Sequence, residues 1–164
     1  MDHRTGACLA DISLPSEDAT TAFAARLAPG LKAGDAILLS GDIGAGKSFL
    51  ARQMIQTRMA AVGVVEDVPS PTFTLVQTYH VGGAEIWHAD LFRLGDESEV
   101  EELGLTEAFS TAICLVEWPD RLGTLTPPDA LSLEMVVTGD TARRASLSWA
   151  DPKWQDRLKS VLAQ

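Results

Sequence analysis

Residues 41–48 read GDIGAGKS and form a complete G-x-x-x-x-G-K-[ST] phosphate-binding loop. The run before it, residues 35–40, is short and mostly apolar, which favours a buried parallel strand. The run after it, residues 49–55, contains neither glycine nor proline and is compatible with a helix. Strand, glycine-rich loop and helix form the context in which such a loop binds phosphate. The stretch therefore predicts an α/β fold with a parallel core around the loop.

The residues of this loop have distinct expected roles. Its backbone N–H groups would close around the phosphates, at the positive end of the following helix. The Lys47 ammonium would reach the β- and γ-phosphates, and the Ser48 hydroxyl would ligate Mg²⁺. The loop residues expected to contact the nucleotide are Asp42, Ile43, Gly44, Ala45, Gly46, Lys47 and Ser48.

The composition of the chain narrows the possible functions. Its 164 residues are enough for one domain with a substantial core, and we expect a single domain over residues 1–164. A net charge of −10 argues against general binding of polyanions, so any contact with nucleic acid would be local or carried by a partner. Cys8 and Cys114 lack C-x-x-C spacing, which argues for buried thiols and against a disulfide framework or a zinc site. The chain shows neither a secretory signal nor a long apolar run, which predicts a cytoplasmic protein without a membrane span.

The remaining patterns predict a P-loop NTPase-like mixed sheet with flanking helices, in which a partly parallel core is extended by antiparallel hairpins. Further strands are expected at residues 7–14, 74–81, 85–91, 111–117, 131–138 and 145–149. Helices are expected from Pro15 to Pro29, from Asp96 to Phe109 in two short pieces, and over residues 152–162.

Two carboxylates are candidates for the Mg²⁺ side of the loop, where such a site needs an acid at the end of a neighbouring strand. Glu117 directly follows the apolar run at residues 113–116, and Asp90 ends a weaker run. Both would lie where ligands collect in open α/β sheets if their strands are neighbours of the loop strand. His88, embedded in a predicted strand, is interpreted as a packing residue and not as a metal ligand.

Other candidates lie near these strand ends. The segment SPTFTL, residues 70–75, carries Thr72 and Thr74, and in switch-type nucleotidases such a segment supplies a hydroxyl to Mg²⁺ or the γ-phosphate. Trp118 would pack beneath the site or present its ring to a base or a partner. The candidate cationic contacts are Arg93, Arg121, Arg143 and Arg144, among which the sequence does not choose. The chain has no N-K-x-D or T-K-x-D segment of the kind that reads guanine, so ATP and Mg²⁺ are the predicted cofactors.

Four motifs in fixed order resemble the bacterial TsaE family, the small P-loop ATPases of tRNA threonylcarbamoyladenosine biosynthesis. They are GDIGAGKS at residues 41–48, SPTFTL at 70–75, HADLFRL at 88–94 and VEWP at 116–119. The resemblance runs from about Leu14 to Leu122. It implies a weak ATPase that binds a complex of TsaD and TsaB, which transfers a threonylcarbamoyl group to adenosine 37 of tRNAs reading ANN codons. The ATPase would support repeated turnover and would meet tRNA only through that complex. Apart from the resemblance, we expect the free protein to be a monomer.

The resemblance also implies roles for single residues. Lys47, Asp90 and Glu117 would be catalytic, and Ser48, Glu117 and Asp90 would serve the metal, with Glu117 assisting it directly or through water. Additional nucleotide contacts would come from Glu17, Thr72, Thr74 and Trp118. The chain departs from the family pattern at Ser48, where threonine is commoner, and at Phe92, where tyrosine is common. Beyond Pro127 the likeness is loose, so it assigns no role to Arg143 or Arg144.

Two other functions fit the loop. A small-molecule P-loop kinase would need an arginine-bearing lid and an acceptor pocket, and no arginine-rich lid segment is evident. A nucleotide-sensing module would bind the nucleotide without turnover, and Asp90 and Glu117 argue only modestly against it. Phosphate transfer to acceptors distinguishes the first from an ATPase, and binding without phosphate release identifies the second.

Overall fold

A computed structural model describes residues 8–71 and 74–163, which contain seven strands and six α-helices. The strands are β1 (Cys8–Leu14), β2 (Ala36–Ser40), β3 (Val76–Val81), β4 (Ala84–Asp90), β5 (Ile113–Glu117), β6 (Leu131–Val137) and β7 (Arg143–Trp149). The helices are α1 (Glu17–Leu27), α2 (Lys47–Ala61), α3 (Glu97–Glu102), α4 (Leu105–Thr111), α5 (Lys153–Arg157) and α6 (Lys159–Leu162). Two 3₁₀ segments are Ala28–Gly30 and Pro119–Leu125. No helix in these ranges combines the length and apolar content that a membrane crossing needs.

All seven strands form one mixed sheet in the order β1-β7-β6-β2-β5-β4-β3. Strand β2 pairs in parallel with both β5 and β6, and β4 pairs in parallel with β5. The antiparallel pairs are β3 with β4, β6 with β7, and β1 with β7. The predicted fold class, a parallel core extended by antiparallel hairpins, is confirmed.

Several predicted boundaries were wrong by a few residues for local reasons. The strand expected from Thr111 begins at Ile113, because α4 continues through Thr111 and the Ala112 N–H closes it onto the Ala108 carbonyl. The break between α3 and α4 was predicted, and it lies at Gly104, whose φ of 82° suits glycine. The expected closing helix is divided at Leu158 into α5 and α6. Ala7, the first residue of the expected first strand, lies outside the described residues.

The central strands are apolar along their whole length because helices cover both faces of the sheet. In β5, Ile113 and Leu115 pack into the core formed with α1, α2, α5 and α6, whereas Cys114 and Val116 pack into the core formed with α3 and α4. Burial raises the pKa of the Cys114 thiol to about 12, so it stays protonated and behaves as a small apolar residue. The backbone of Cys8 belongs to β1, but the prediction that its thiol is buried lies outside what the structure describes.

The parallel strands bring the predicted acids to one edge of the sheet. Register pairs Leu39 of β2 with Glu117 of β5, and Glu117 with Asp90 of β4. The loop at residues 41–46 follows directly from β2, so it begins at the same edge. Parallel strands present their carboxyl ends together, and this edge is where open α/β sheets bind ligands.

A buried carboxylate at the opposite end of β2, that of Asp35, holds α5 against the sheet. Asp35 Oδ1 lies 3.1 Å from Lys153 Nζ, and Asp35 Oδ2 accepts from the Lys32 N–H at 2.7 Å and from Arg157 Nη1. Burial alone raises the pKa of Asp35, but the hydrogen bonds from Arg157, Lys32 and Lys153 outweigh it, and the net pKa is lowered. The ionised form of Asp35 is therefore the one that stabilises the fold.

We expect Asp35→Asn to lower the free energy of unfolding at pH 7 by about 2 kcal/mol, because it leaves Arg157 without its carboxylate partner and Lys153 with only that of Asp129. Since the folded pKa lies below the unfolded value of about 3.9, the stabilisation is complete above that pH. The stabilisation is lost as the pH falls through the folded pKa of Asp35, so the difference in unfolding free energy between wild type and variant should become smaller in acid. Urea unfolding at pH 7 and at pH 3 measures both gaps. Glu107→Gln, at an exposed position of α4, is the control, and an equal gap at the two pH values would contradict the assignment.

Candidate nucleotide-binding site

The phosphate loop is shaped by glycines and by the hairpin beside it. Gly41 has φ of 139°, and a Cβ there would lie 2.5 Å from the Met135 carbonyl oxygen of β6. Gly46 has φ of 103° and forms the N-cap of α2. Within the loop the Ala45 N–H donates to the Asp42 carbonyl at 3.0 Å. The loop is thus a tight turn held against β6, and it ends at the amino terminus of a 15-residue helix.

Gly41→Ala should destabilise the protein by about 2–4 kcal/mol, because the new methyl group would collide with rigid backbone at a left-handed φ. Thermal and urea unfolding measure the loss. Gly30→Ala is the matched control, since a Cβ at Gly30 meets nothing within 4 Å, and it should leave stability close to wild type. Equal stability of the two variants would contradict the observed packing of the loop against Met135.

Lys47 is folded back over its own loop. Its Nζ donates to the carbonyl oxygens of Gly41 at 2.5 Å and Asp42 at 3.0 Å, and it lies 4.2 Å from the centre of the Trp118 ring. Only 5% of Lys47 is exposed. Burial lowers the pKa of Lys47, although the charges of Glu117, Asp90 and Asp42 act in the opposite direction. An ammonium group held this way is placed at the loop mouth, beside the ring that covers it.

Ser48, Glu117 and His88 form a hydrogen-bonded chain beneath the loop. The Ser48 hydroxyl lies 2.8 Å from both Oε1 and Oε2 of Glu117, and His88 Nε2 lies 2.7 Å from Oε2. Glu117 and His88 are both buried. A carboxylate only accepts, so Nε2 is the protonated nitrogen and donates, while Nδ1 has no partner among the described residues. His88 therefore does more than pack, which corrects the sequence interpretation: it fixes the orientation of the Glu117 carboxylate.

Asp90 and Trp118 complete the strand-end edge of the site. Asp90 Oδ1 accepts from the Phe92 N–H at 3.0 Å, and the Asp90 N–H donates to the Leu75 carbonyl at 2.8 Å. Trp118 has φ of 58° and its ring lies 4.8 Å from that of Phe92. The left-handed backbone at a non-glycine residue is unusual and turns the indole back over Lys47.

These residues surround a cavity of about 570 Å³. Its lining includes nine of the predicted site residues: Glu17, Ile43, Gly44, Gly46, Lys47, Ser48, Asp90, Glu117 and Trp118. It also includes residues for which the sequence predicted no role in the site: Thr20, Phe49, Arg52, Phe92, Met135 and Thr141. Thr20 lies one helical turn after Glu17 on α1, and that spacing alone could have drawn attention to it.

The remaining predicted residues lie elsewhere. Asp42 and Ala45 belong to the loop turn without lining the cavity. Thr74 is exposed and outside the cavity, and its hydroxyl accepts from Gln77 Nε2 at 3.3 Å. Thr72 lies outside the described residues.

Of the four candidate arginines, two line the cavity and two do not. Arg93 and Arg143 line the cavity, whereas Arg121 bonds the Phe92 carbonyl at 3.3 Å and Arg144 is exposed on β7. Arg143 also contacts the phosphate loop itself: Nε donates to the Ala45 carbonyl at 2.9 Å, and Nη2 donates to the Gly44 carbonyl at 3.2 Å.

Comparison with known protein families shows the family to which this chain belongs. The model of the family described as "Threonylcarbamoyl adenosine biosynthesis protein TsaE" matches residues 14–145. The chain belongs to the TsaE family. The resemblance predicted from four motifs is confirmed, and the TsaE match extends past the predicted limit at Leu122 to include Arg143.

Curated relatives support the TsaE assignment, and each of the following is named "tRNA threonylcarbamoyladenosine biosynthesis protein TsaE". The Rickettsia felis protein is 37% identical over 134 residues, which cover 82% of this chain and 77% of the relative. The Bacillus subtilis protein is 35% identical over 130 residues, which cover 79% and 78%. The Haemophilus influenzae protein is 41% identical over 112 residues, which cover 68% of each chain.

A solved structure supports the fold. The crystal structure of Bacillus subtilis YdiB superposes with a TM-score of 0.77 at 24% sequence identity. The alignment covers 94% of this chain and 95% of YdiB. The mixed sheet with flanking helices is therefore an architecture already seen in an experimental structure.

Proposed function

We propose that this TsaE-family protein is a Mg²⁺-dependent ATPase that binds a TsaD–TsaB complex and supports its turnover in forming threonylcarbamoyladenosine at position 37 of ANN-decoding tRNAs. The observation that carries the proposal is the contact of the Ser48 loop hydroxyl with the strand-end carboxylate of Glu117 at 2.8 Å, together with the interaction of that carboxylate with the Lys47 charge. This arrangement would join a phosphate-binding cation to an oxygen-rich metal position, as ATP hydrolysis requires.

The donor set suits Mg²⁺ better than a softer metal. The hydroxyl of Ser48 and the carboxylate of Glu117 are hard oxygen donors, and the Asp90 carboxylate belongs to the residue paired with Glu117 on the next strand. The described residues contain no group of three or more His, Cys, Asp or Glu side chains arranged as a metal cage. Mg²⁺ ordinarily takes one or two protein carboxylates and completes its shell with substrate phosphates and water, so the residues present fit it.

The protein's own groups would perform most of the chemistry by position and charge. Bound Mg²⁺ would supply charge neutralisation at the β- and γ-phosphate oxygens. Lys47 would leave its contacts with Gly41 and Asp42 and donate to the γ-phosphate, where negative charge develops. Glu117, oriented by His88, would hold the metal directly or through water, and Asp90 would hold either the attacking water or the metal shell.

The acidic character of the chain supports an indirect route to tRNA. With a net charge of −10, the protein would contact tRNA through TsaD and TsaB and not by an extensive surface of its own. The reaction catalysed by this chain would be ATP hydrolysis, while the threonylcarbamoyl transfer would belong to the partner complex. We place this activity in the cytoplasm, where tRNA is modified.

The test is Mg²⁺-dependent phosphate release from ATP, measured for the chain alone and with purified TsaD and TsaB. Release that is slow alone and rises with the partners supports the proposal. Phosphate transfer to a small-molecule acceptor in place of water would identify a kinase. Tight ATP binding with no release, with or without partners, would identify a nucleotide-sensing module. Either of the last two results overturns the ATPase assignment.

A further inference from the structure

We propose that Arg143 is a positioning residue that holds the phosphate loop in its binding-competent conformation and couples that loop to the tip of the β6–β7 hairpin. The inference rests on the proposed nucleotide site but concerns a residue that the family motifs do not assign. The hairpin tip is defined here as residues 138–142, between Val137 and Arg143.

The contacts of Arg143 all go to main-chain carbonyls on two separate segments. On the loop side, Nε donates to the Ala45 carbonyl at 2.9 Å and Nη2 to the Gly44 carbonyl at 3.2 Å. On the tip side, Nη1 lies 2.8–3.3 Å from the carbonyl oxygens of Gly139, Asp140 and Ala142. A planar guanidinium with donors in a fixed fork is suited to bridging two such segments, and a lysine ammonium is not.

The direction of these contacts explains why they matter for phosphate. A trans peptide is planar, so its C=O and N–H point to opposite sides. The Ala45 carbonyl faces Arg143, and the N–H of Gly46, on the same peptide, therefore faces away from it. Loops of this kind bind phosphate through their N–H groups, so holding the Ala45 carbonyl outward leaves the Gly46 N–H available to a phosphate, whereas the Ala45 N–H is already bonded to the Asp42 carbonyl. The Arg143 donors are engaged with carbonyls, which favours this positioning role over direct contact with phosphate.

The packing around Gly46 places Arg143 against the loop at the start of α2. A Cβ built on Gly46 would lie 3.8 Å from Arg143 Nε and 3.5 Å from the Met135 methyl carbon. Both neighbours belong to the β6–β7 hairpin, which also approaches Gly41 through the Met135 carbonyl. The hairpin thus supports the loop at both ends, and Arg143 provides the polar part of that support.

Hydrogen exchange of the amides in residues 42–50 tests the inference without nucleotide, using Arg143→Ala and Arg143→Lys. Both variants should exchange about tenfold faster there than wild type, since charged hydrogen bonds to the loop are lost. Arg144→Ala, the exposed neighbour on the same strand, is the matched control and should exchange as wild type does. Exchange in β1 and β7 shows whether a variant remains folded. Arg143→Lys is the variant that should disturb the fold less, because it keeps a long, positively charged side chain.

Nucleotide affinity and turnover supply the second readout. If the competent loop is populated about tenfold less, the apparent Kd for ADP and the KM for ATP should rise by the same factor, while kcat at saturation stays unchanged. Unaltered exchange in both Arg143 variants overturns the inference. Normal nucleotide binding by Arg143→Lys together with weakened binding by Arg143→Ala also overturns the inference, because a positive charge without the guanidinium fork would then be enough to support the loop. A wild-type protein that binds no nucleotide defeats the proposed function, yet the exchange experiment still tests the bracing of the loop.

Discussion

Lys47→Ala should reduce the kcat of ATP hydrolysis by about 10²–10³-fold, because under the proposed function it removes the cation that would meet the negative charge developing on the γ-phosphate. Steady-state phosphate release with saturating Mg²⁺ measures the effect. The loss should appear in kcat as well as in KM, since the ammonium would bind the γ-phosphate in the ground state and more strongly in the transition state.

Lys159→Ala is the control for this experiment, since Lys159 is an exposed lysine at the start of α6 whose ion pair is with the exposed Asp156 of α5. It should hydrolyse ATP at the wild-type rate. Because Lys47 also donates two hydrogen bonds within the loop, the thermal stability of Lys47→Ala must be measured alongside its activity. A stable, folded variant with unchanged hydrolysis would refute the placement of the γ-phosphate beside Lys47.

Glu117→Gln should reduce Mg²⁺-dependent turnover by about 10- to 100-fold, the range found when a residue that orients the ligands of a metal is changed. Glutamine keeps the volume of a side chain that is only 2% exposed, so the cavity that alanine would leave is avoided. The affinity for ADP measured without Mg²⁺ should stay close to wild type, and the Mg²⁺ concentration needed for half-maximal rate should rise.

Glu101→Gln, at an exposed position of α3, is the matched control and should change neither quantity. Equal losses of turnover and of Mg²⁺-free affinity in Glu117→Gln would mean that Glu117 acts in ground-state binding and not on the metal. The amide also replaces an acceptor-only group facing Ser48 and His88, so unfolding free energies of both variants are needed for the comparison.

The parts of the site that lie close together in the chain could be predicted from sequence. The loop, its strand and its helix are contiguous, so the motif at residues 41–48 was sufficient to identify Lys47 and Ser48 as candidate site residues. Glu117 could also be predicted, because β5 is apolar on both faces and ends in a single acid. In each case the local pattern and the final packing require the same residue type.

The parts that depend on strand order could not be predicted in the same way. The contact of His88 with Glu117 requires β4 and β5 to be parallel neighbours, and a buried histidine in a strand carries no sign of its partner. Arg143 lies 98 residues from Ala45 and reaches it only because the sheet places β6 beside β2. Neither contact leaves a periodic signal in the sequence, since a hydrophobic pattern shows which face of a strand is buried but not which strands lie beside it.

The strand order has a consequence for how the protein is made. On the ribosome, β2 and the phosphate loop are synthesised long before β5 and β6, the two strands that flank β2, and β1 must wait for β7. A growing chain that ends before residue 113 holds the entire loop sequence but neither strand that would shield the edges of β2. Such non-local pairing is slow to form and leaves apolar edges open to association while it is incomplete. The edges of β2 are therefore covered only late in synthesis, and a nucleotide bound as proposed could assist folding only after β5 and β6 have been made.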